Sequence, residues 1–137
     1  MSWSRTVLIL AVVSAGALAG DLPAKMQAKF IQILTNSAGS PGKVACKDPA
    51  LTAALGGVGV TPDPACKVAW AASLDEVKSL KAAGKLVICG KTDWLKEGGS
   101  IALVEEGGKP QLYLQMSNIA ASGVTLGEGV LKIGKKF

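Results

Sequence analysis

Residues 98–115, which read GGSIALVEEGGKPQLYLQ, decide the C-terminal half of the fold. Apolar side chains alternate along this stretch on both sides of the pair Gly107 and Gly108. Adjacent glycines supply the positive φ angles that a tight turn requires, and alternation places every second side chain on one strand face. We therefore predict an antiparallel β-hairpin, with Ile101 and Leu103 sharing a face of the first strand and Leu112 and Leu114 alternating on the returning strand.

Helix and strand patterns alternate along the chain before this hairpin. Helices are predicted for residues 23–34, 49–55 and 73–84, and strands for residues 43–46, 67–72 and 86–89. After the hairpin, residues 116–122 predict a short helix that Gly123 ends, and residues 130–133 form a short apolar end. This order predicts an α/β fold with three layers, α/β/α, around a small mixed sheet. Its parallel portion is joined by right-handed crossovers, and its C-terminal hairpin is antiparallel.

The first 19 residues have the pattern of a secretory signal peptide. A short basic start ending at Arg5 precedes an apolar run, and Ala17-Leu18-Ala19 fits the small-x-small rule for cleavage before Gly20. The apolar run is shorter than the about 20 residues that a membrane span needs. We expect cleavage to leave a single domain, residues 20–137, in the periplasm.

Composition excludes many catalytic mechanisms. The chain has no histidine, so a serine or cysteine nucleophile has no imidazole base, and no imidazole can ligate a metal. The acidic pairs Asp75–Glu76 and Glu105–Glu106 fall at a predicted helix start and beside the hairpin turn, where carboxylates are solvated. We therefore expect no enzyme, no metal and no cofactor.

The basic residues argue against a nucleic-acid partner. The chain has 15 lysines and arginines against 10 acids, but its only arginine is Arg5, inside the predicted leader. Residues 20–137 therefore lack the guanidinium groups that recognise phosphate and guanine in a bidentate way. Lysines alone give an ordinary, mildly basic surface.

Three cysteines, Cys46, Cys66 and Cys89, remain after the predicted cleavage. An oxidising compartment allows one disulfide, with three possible pairings and one thiol left over. The alternative is that each cysteine is a small buried hydrophobe. A reactive, exposed cysteine would instead suit a thiol sensor.

The crevice at the carboxyl ends of the predicted parallel strands suggests a second type of function. In α/β sheets this position commonly binds ligands. Lys47, Asp48, Gly90 and Lys91 follow the first and third strands, so the two lysines and nearby backbone N–H groups could hold an anion there. This hypothesis makes the chain a periplasmic small-molecule binding domain.

The hairpin and its surroundings also carry a resemblance to a known family. The pattern of a double glycine, an apolar hairpin, a small-residue helix, Gly123-Val124 and the pair Val130-Leu131 resembles the YfiR family, also called YfiR/HmsC-like, of secreted bacterial proteins. The similarity extends to the predicted first helix and spans most of residues 20–137. Where the family usually has an asparagine after the hairpin, this chain has Gln115, and we expect Asn118 to cap the same turn.

The resemblance implies a non-catalytic periplasmic regulator. Members of the YfiR type dock on a membrane-bound signalling partner, so the expected partner is an inner-membrane diguanylate cyclase or sensor kinase, and the output is cyclic-di-GMP signalling. A homodimer is a further expected form. An apolar patch would bind the partner, and its candidate residues are Phe30, Ile31, Trp94 and Leu95.

Overall fold

The computed structural model describes residues 20–137, with side chains from Leu22 onward. The predicted signal peptide lies outside these residues. Five α-helices are found in the described part: α1 Ala24–Ser37, α2 Pro49–Gly56, α3 Leu74–Ala82, α4 Met116–Ser122 and α5 Glu128–Ile133. A 3₁₀ helix, Thr92–Glu97, follows the fifth strand. The strands are β1 Gly20–Asp21, β2 Lys43–Val44, β3 Thr61–Pro62, β4 Val68–Trp70, β5 Leu86–Cys89, β6 Ile101–Glu106, β7 Lys109–Leu114 and β8 Lys135–Lys136.

The main sheet is mixed and has the order β4-β5-β6-β7-β8. Strands β4, β5 and β6 are parallel, and β7 returns antiparallel to β6. Strand β1 pairs in antiparallel orientation with residues 104–105, near the C-terminal end of β6. The predicted fold class, with a parallel portion and an antiparallel hairpin, is confirmed.

Helices cover both faces of this sheet, as the three-layer prediction requires. Alternation along β5 sends Leu86 and Ile88 to one face and Val87 and Cys89 to the other, and all four side chains are completely buried. On the first face, buried residues of α1, α2, α4 and α5 complete a large core. On the second face, α3 and the 3₁₀ helix cover a smaller core. A strand that is apolar on both faces is therefore central, because neither of its faces meets water.

The hairpin forms in the predicted register. Glu106 pairs with Lys109 and Leu103 with Leu112, so Gly107 and Gly108 form a two-residue turn. Both glycines have positive φ angles, 60° and 79°, which matches the turn type that suits the right-handed twist of two strands. The same stretch that identified the hairpin also fixes its register.

The sheet differs from the prediction at its periphery. The strand predicted for residues 43–46 joins the main sheet only through one bridge, Ala45 to Ala69, and β2 pairs instead with β3 in a region expected to be irregular. The apolar end predicted for residues 130–133 is helical, and β8 adds outside β7, so the hairpin is not the sheet edge. Strands of two residues escape prediction because they are too short to show a period of two.

The side chain of Asn118 links α4, the helix after the hairpin, to the turn that precedes the hairpin. Its side-chain amide donates to the carbonyl oxygens of Leu95 (3.1 Å) and Gly99 (2.8 Å). Asn118 was expected to cap the turn at which the hairpin meets α4; its amide binds the turn before the hairpin instead, and the side chain of Gln115 makes no cap hydrogen bond to α4. Asn118 thereby ties α4 to the segment that carries Trp94.

Replacing Asn118 with alanine is expected to destabilise the protein by about 1–3 kcal/mol, because two carbonyl groups lose their hydrogen-bond donor. Urea unfolding of the purified protein measures this change. Ser117→Ala is the control, since the Ser117 hydroxyl donates to the side chain of Gln115 in a solvent-exposed hydrogen bond. Equal stability of the two variants would contradict a stabilising role for these two hydrogen bonds.

Within residues 20–137, no helix combines the length and the apolar character needed to cross a membrane.

Candidate ligand cleft

A cavity of about 290 Å³ opens at the carboxyl ends of β4 and β5. We call it the carboxyl-end cleft and define it by six of its lining residues: Gln27, Asp48, Trp70, Gly90, Lys91 and Trp94. The chain turns away from the sheet after each parallel strand, so its walls combine the last residue of β4 with residues of the loops and helices that follow the strands. This is the position at which open α/β sheets typically bind ligands.

Trp70, the last residue of β4, forms one wall of the carboxyl-end cleft. Its side chain is 5% exposed, and its indole Nε1 is buried with no hydrogen-bond partner among the described residues. A buried donor left without an acceptor costs about 1–3 kcal/mol. Trp70 therefore lines the cleft and also holds a buried hydrogen-bond donor that has no acceptor among the described residues.

Gly90 lies against the Trp70 indole. A Cβ atom at Gly90 would lie 3.6 Å from Cη2 of Trp70 and 3.9 Å from Nε2 of Gln27, both ordinary van der Waals distances. Because Gly90 immediately follows β5, the strand end and the indole meet in the cleft. The position of Gly90 agrees with the sequence-based candidate.

Lys91 and Trp94 form the outer wall. The Lys91 ammonium lies 5.9 Å from the centroid of the Trp94 ring, within the range of a cation–π interaction. Trp94 is half-buried in the 3₁₀ helix, and Lys91 is exposed. The outer wall therefore presents an aromatic ring together with a positive charge.

Asp48 brings a negative charge to the same cleft. It is the N-cap of α2, and its Oδ1 accepts a hydrogen bond from the Ala50 backbone N–H at 3.2 Å. The carboxylate that caps α2 therefore belongs to a residue that lines the cleft. Of the four ligand candidates from the sequence, Asp48, Gly90 and Lys91 line this cleft.

Lys47, the fourth candidate, lies in a separate cavity of about 360 Å³ that shares Trp70 as a wall. Cys46, Asp75, Glu76 and Leu80 also line this second cavity, between the end of β4 and α3. The structure therefore divides the four candidates between two cavities. Sequence reasoning missed Trp70 and Gln27, although a tryptophan at the carboxyl end of a predicted parallel strand is a usable signal.

Two of the four residues predicted to form a partner-binding surface do not lie on the surface. Ile31 and Leu95 are completely buried, Ile31 in the larger core and Leu95 in the smaller one. Phe30 and Trp94 are half-buried and pack against these same cores. The helical period explains the error, since Ile31 lies on the face of α1 that also buries Ala28 and Leu34.

All three cysteines are free thiols, so the structure contains none of the possible disulfides. Cys89 packs in the smaller core, whereas Cys66 belongs to the larger core and Cys46 packs against it, on the other side of the sheet. The Cys66 thiol points to the carbonyl of Lys43 and the Cys46 thiol to the carbonyl of Asp48. The alternative interpretation, that the cysteines are buried small side chains, fits Cys66 and Cys89.

Cys89 is expected to be the last thiol to react in the folded protein. Burial raises the pKa of its thiol from 9.0 to about 11, and only the thiolate is the nucleophile. Because the folded pKa lies above the unfolded one, this thiol contributes stability below pH 9 that is lost as the pH rises through about 11. Burial also raises the pKa of Cys46, which argues against a thiol sensor there.

Thiol counting with a chromogenic disulfide reagent checks this expectation. Three thiols should react in denaturant, and Cys89→Ala should remove the slowest phase of the native reaction. A count of one thiol in denaturant would show a disulfide and contradict the structure. Cys89 in the fastest native phase would contradict its burial.

The described residues contain no group of three or more cysteine or acidic side chains arranged to hold a metal ion.

Comparison with known proteins identifies a fold and no family. A scan against protein-family models gives no match, and neither does a search of curated proteins. Among solved structures, the chain is similar to an ABC domain from Streptococcus pneumoniae in complex with L-Trp (TM-score 0.58, 14% identity, covering 83% of this chain and 61% of that one). It is also similar to a conserved domain protein from Vibrio cholerae (TM-score 0.61, 14% identity, covering 85% of this chain and 60% of that one).

These likenesses establish the α/β fold. The chain spans about 60% of the length of each of the two solved structures. Neither structure bears on the YfiR resemblance, so membership of that family stays a prediction.

Proposed function

We propose that this protein is a small-molecule binding domain whose ligand lies in the carboxyl-end cleft. The observation that carries the proposal is Trp70, which lines the cleft and whose buried indole N–H has no acceptor among the described residues. A ligand oxygen that reached this N–H would supply the missing partner. Buried polar groups are nearly always paired, so an unpaired donor on a residue that lines a cavity favours a bound acceptor.

The remaining walls suit a compact ligand with one flat apolar part. Trp70 and Trp94 supply aromatic surface, and Gln27, Asp48 and Lys91 supply a small number of polar groups. The cleft volume of about 290 Å³ is near the lower end of the usual size of ligand pockets. A molecule of metabolite size fits these limits better than a peptide or a nucleotide.

One of the two similar solved structures also supports small-molecule binding. The S. pneumoniae domain with this fold is in complex with L-Trp, a small molecule with a flat ring and a carboxylate. L-Trp is therefore a reasonable first probe for this chain.

Docking on a membrane signalling protein is our second proposal, and it rests on the YfiR resemblance. The half-buried side chain of Trp94 favours it, since this residue lies in the cleft wall and still reaches the surface. Affinity capture from solubilised membranes tests it. Recovery of no membrane protein by the wild-type chain, under conditions that recover a known control pair, would contradict it.

A thermal-shift screen of small carboxylates and amino acids tests the first proposal. Ligands that raise the melting temperature of the wild-type protein should lose about tenfold or more in affinity in Trp70→Phe, which keeps a ring but removes the N–H. Tyr113→Phe is the matched control, since it removes a hydroxyl from an aromatic residue whose partner is Glu106, outside the cleft. Ligands that bind both variants equally well would contradict a site at Trp70.

A further inference from the structure

Exposed apolar side chains gather where the chain leaves α5 and forms β8. Four large apolar side chains are exposed among residues 22–137: Ile33, Met116, Ile133 and Phe137. Ile133, the last residue of α5, is 53% exposed, and Phe137, directly after β8, is 45% exposed. Single exposed apolar side chains are common on protein surfaces, but two large ones within five residues mark a place where the protein can meet an apolar medium.

The contacts of β8 hold this segment against the end of β7. The Phe137 N–H donates to the carbonyl oxygen of Leu114 at 2.8 Å. A Cβ atom at Gly134 would lie 2.6 Å from Cγ of Leu114, so the chain between Ile133 and Phe137 packs closely on that side chain. Met116 comes two residues after Leu114, at the same end of β7. Three of the four exposed apolar side chains therefore belong to one edge of the protein.

Lysines are interspersed with these apolar side chains. Lys132, Lys135 and Lys136 are all exposed. The Lys135 ammonium is already engaged, since it lies 3.5 Å from Oε1 of Glu106 and 5.8 Å from the centroid of the Tyr113 ring. Lys132 and Lys136 form no ion pair with any of the described residues. Their charges are therefore available to an anionic partner.

We propose that this edge of the protein adsorbs to an anionic lipid surface. We call it the basic apolar edge and define it by Met116, Lys132, Ile133, Lys136 and Phe137. The apolar side chains enter the boundary between headgroups and acyl chains, and the two ammonium groups stay among the lipid phosphates. This adsorption does not depend on a ligand in the carboxyl-end cleft.

The shape of the basic apolar edge favours a lipid surface over a protein partner. A specific protein interface needs roughly 1,000 Å² of complementary surface, which three separate apolar side chains do not supply. A bilayer accepts separate side chains because its surface adapts to them.

The charge of the protein favours the same partner. The chain has 15 lysines and arginines and 10 acids, and Arg5 is its only arginine, so residues 20–137 carry 14 lysines, 10 acids and a net charge of +4. A positive protein is drawn to a negative membrane surface, where each nearby lysine strengthens binding about fivefold.

Co-sedimentation with lipid vesicles tests the proposal. The protein is purified after export, and mass spectrometry establishes that the wild type and all variants share one N-terminus. Vesicles of phosphatidylglycerol and phosphatidylcholine in equal parts should bind the wild type at least about tenfold more tightly than vesicles of phosphatidylcholine alone. Binding to the anionic vesicles should also weaken as the salt concentration rises.

Two double variants separate the contributions of charge and of apolar contact. Lys132→Gln with Lys136→Gln should weaken binding to the anionic vesicles at least about tenfold, because two lysines near the membrane are lost. Ile133→Ser with Phe137→Ser should weaken it by a similar factor, because no large side chain remains there to enter the acyl boundary. All four side chains are exposed, so both variants should fold, and circular dichroism checks that they do.

Lys67→Gln with Lys96→Gln is the matched control for the lysine pair. It removes the same charge from two exposed lysines, one directly before β4 at the opposite edge of the sheet and the other in the 3₁₀ helix. Salt screens charges that lie more than about 10 Å from the membrane, so this variant should bind within about threefold of the wild type.

Three results would overturn the proposal. The first is no binding of the wild type to the anionic vesicles at millimolar lipid. The second is an equal loss in the control pair and in the lysine pair of the basic apolar edge, which would show general electrostatic adsorption. The third is unchanged binding by Ile133→Ser with Phe137→Ser, and competition by soluble polyglutamate would then indicate a charged surface for an acidic protein.

Discussion

Leu103→Ala is expected to destabilise the protein by about 3 kcal/mol, because the substitution leaves a cavity in the larger core. Leu103 is completely buried on β6, the strand between β5 and β7, and Leu112 is its partner across the hairpin. In a domain of this size such a loss lowers the melting temperature by roughly 10 °C. Chemical and thermal unfolding followed by circular dichroism measure both quantities.

Ile133→Ala is the control for Leu103→Ala. It also shortens an aliphatic side chain, but Ile133 is 53% exposed, so its loss should change the free energy of unfolding by less than about 0.5 kcal/mol. Similar effects of the two substitutions would contradict the position of Leu103 at the centre of the core.

Gly99→Ala should destabilise the protein by about 1–3 kcal/mol through overpacking. A Cβ atom at Gly99 would lie 3.0 Å from Sγ of Cys89 and 3.1 Å from the carbonyl oxygen of Trp94. The carbonyl belongs to the backbone and Cys89 is completely buried, so neither neighbour can move without disturbing the core. The cost arises because β5 and the turn before β6 approach each other closely at this point.

A double-mutant cycle makes this prediction specific. Cys89→Ala removes the sulfur atom, so Gly99→Ala should cost at least about 0.5 kcal/mol less in that background than in the wild type. Gly129→Ala is the control, since Gly129 lies in α5 and a Cβ atom added there would have no neighbour within 4 Å, so alanine should be neutral or stabilising. Additive effects of Gly99→Ala and Cys89→Ala would contradict the close contact.

Gly99→Ala also bears on the cleft. The Gly99 N–H donates to the Trp94 carbonyl at 3.0 Å, and Asn118 binds the Gly99 carbonyl from the other side. Any shift at Gly99 therefore moves the turn that presents Trp94. We expect ligand affinity to fall together with stability in this variant.

The sequence predicts the central elements well because their patterns are long and unambiguous. The hairpin combines an apolar run in β6 and the alternating Leu112 and Leu114 of β7 with a two-glycine turn, and β5 is a continuous apolar run. The predicted helix 73–84 agrees with α3 within a residue or two, because the Ser73 hydroxyl caps its start and Gly84, with a positive φ angle, follows its end. Local chemistry determines each of these features, so a single sequence is sufficient to identify them.

The site is less predictable because it depends on which side chains tertiary packing brings together. Asp48, Gly90 and Lys91 were accessible to prediction, since the carboxyl ends of parallel strands share one edge of the sheet. The role of Trp70 was not, because only the packed structure shows that its N–H has no acceptor among the described residues. Gln27 lines the cleft from α1, more than 40 residues before Trp70 in the sequence. No local sequence pattern indicates that these two residues lie together.

Burial explains the errors among the partner-binding residues. A short run such as Phe30 and Ile31 places neighbouring side chains about 100° apart on a helix, so one is buried while the other reaches the rim. The sequence alone predicts an apolar stripe along the helix, but it does not determine which residues are buried and which lie at the margin of the stripe. Ile31 is completely buried and Phe30 is half-buried for this reason.

The most direct test of the central claim is a ¹⁵N–¹H correlation spectrum of the indole groups during ligand titration. The chain contains three tryptophans, Trp3, Trp70 and Trp94, and Trp→Phe variants assign their signals. Binding in the carboxyl-end cleft predicts that the Trp70 indole signal moves downfield as its N–H gains an acceptor, and that the Trp94 signal shifts with it. A ligand that saturates the protein while both indole signals stay unchanged would contradict the proposed site.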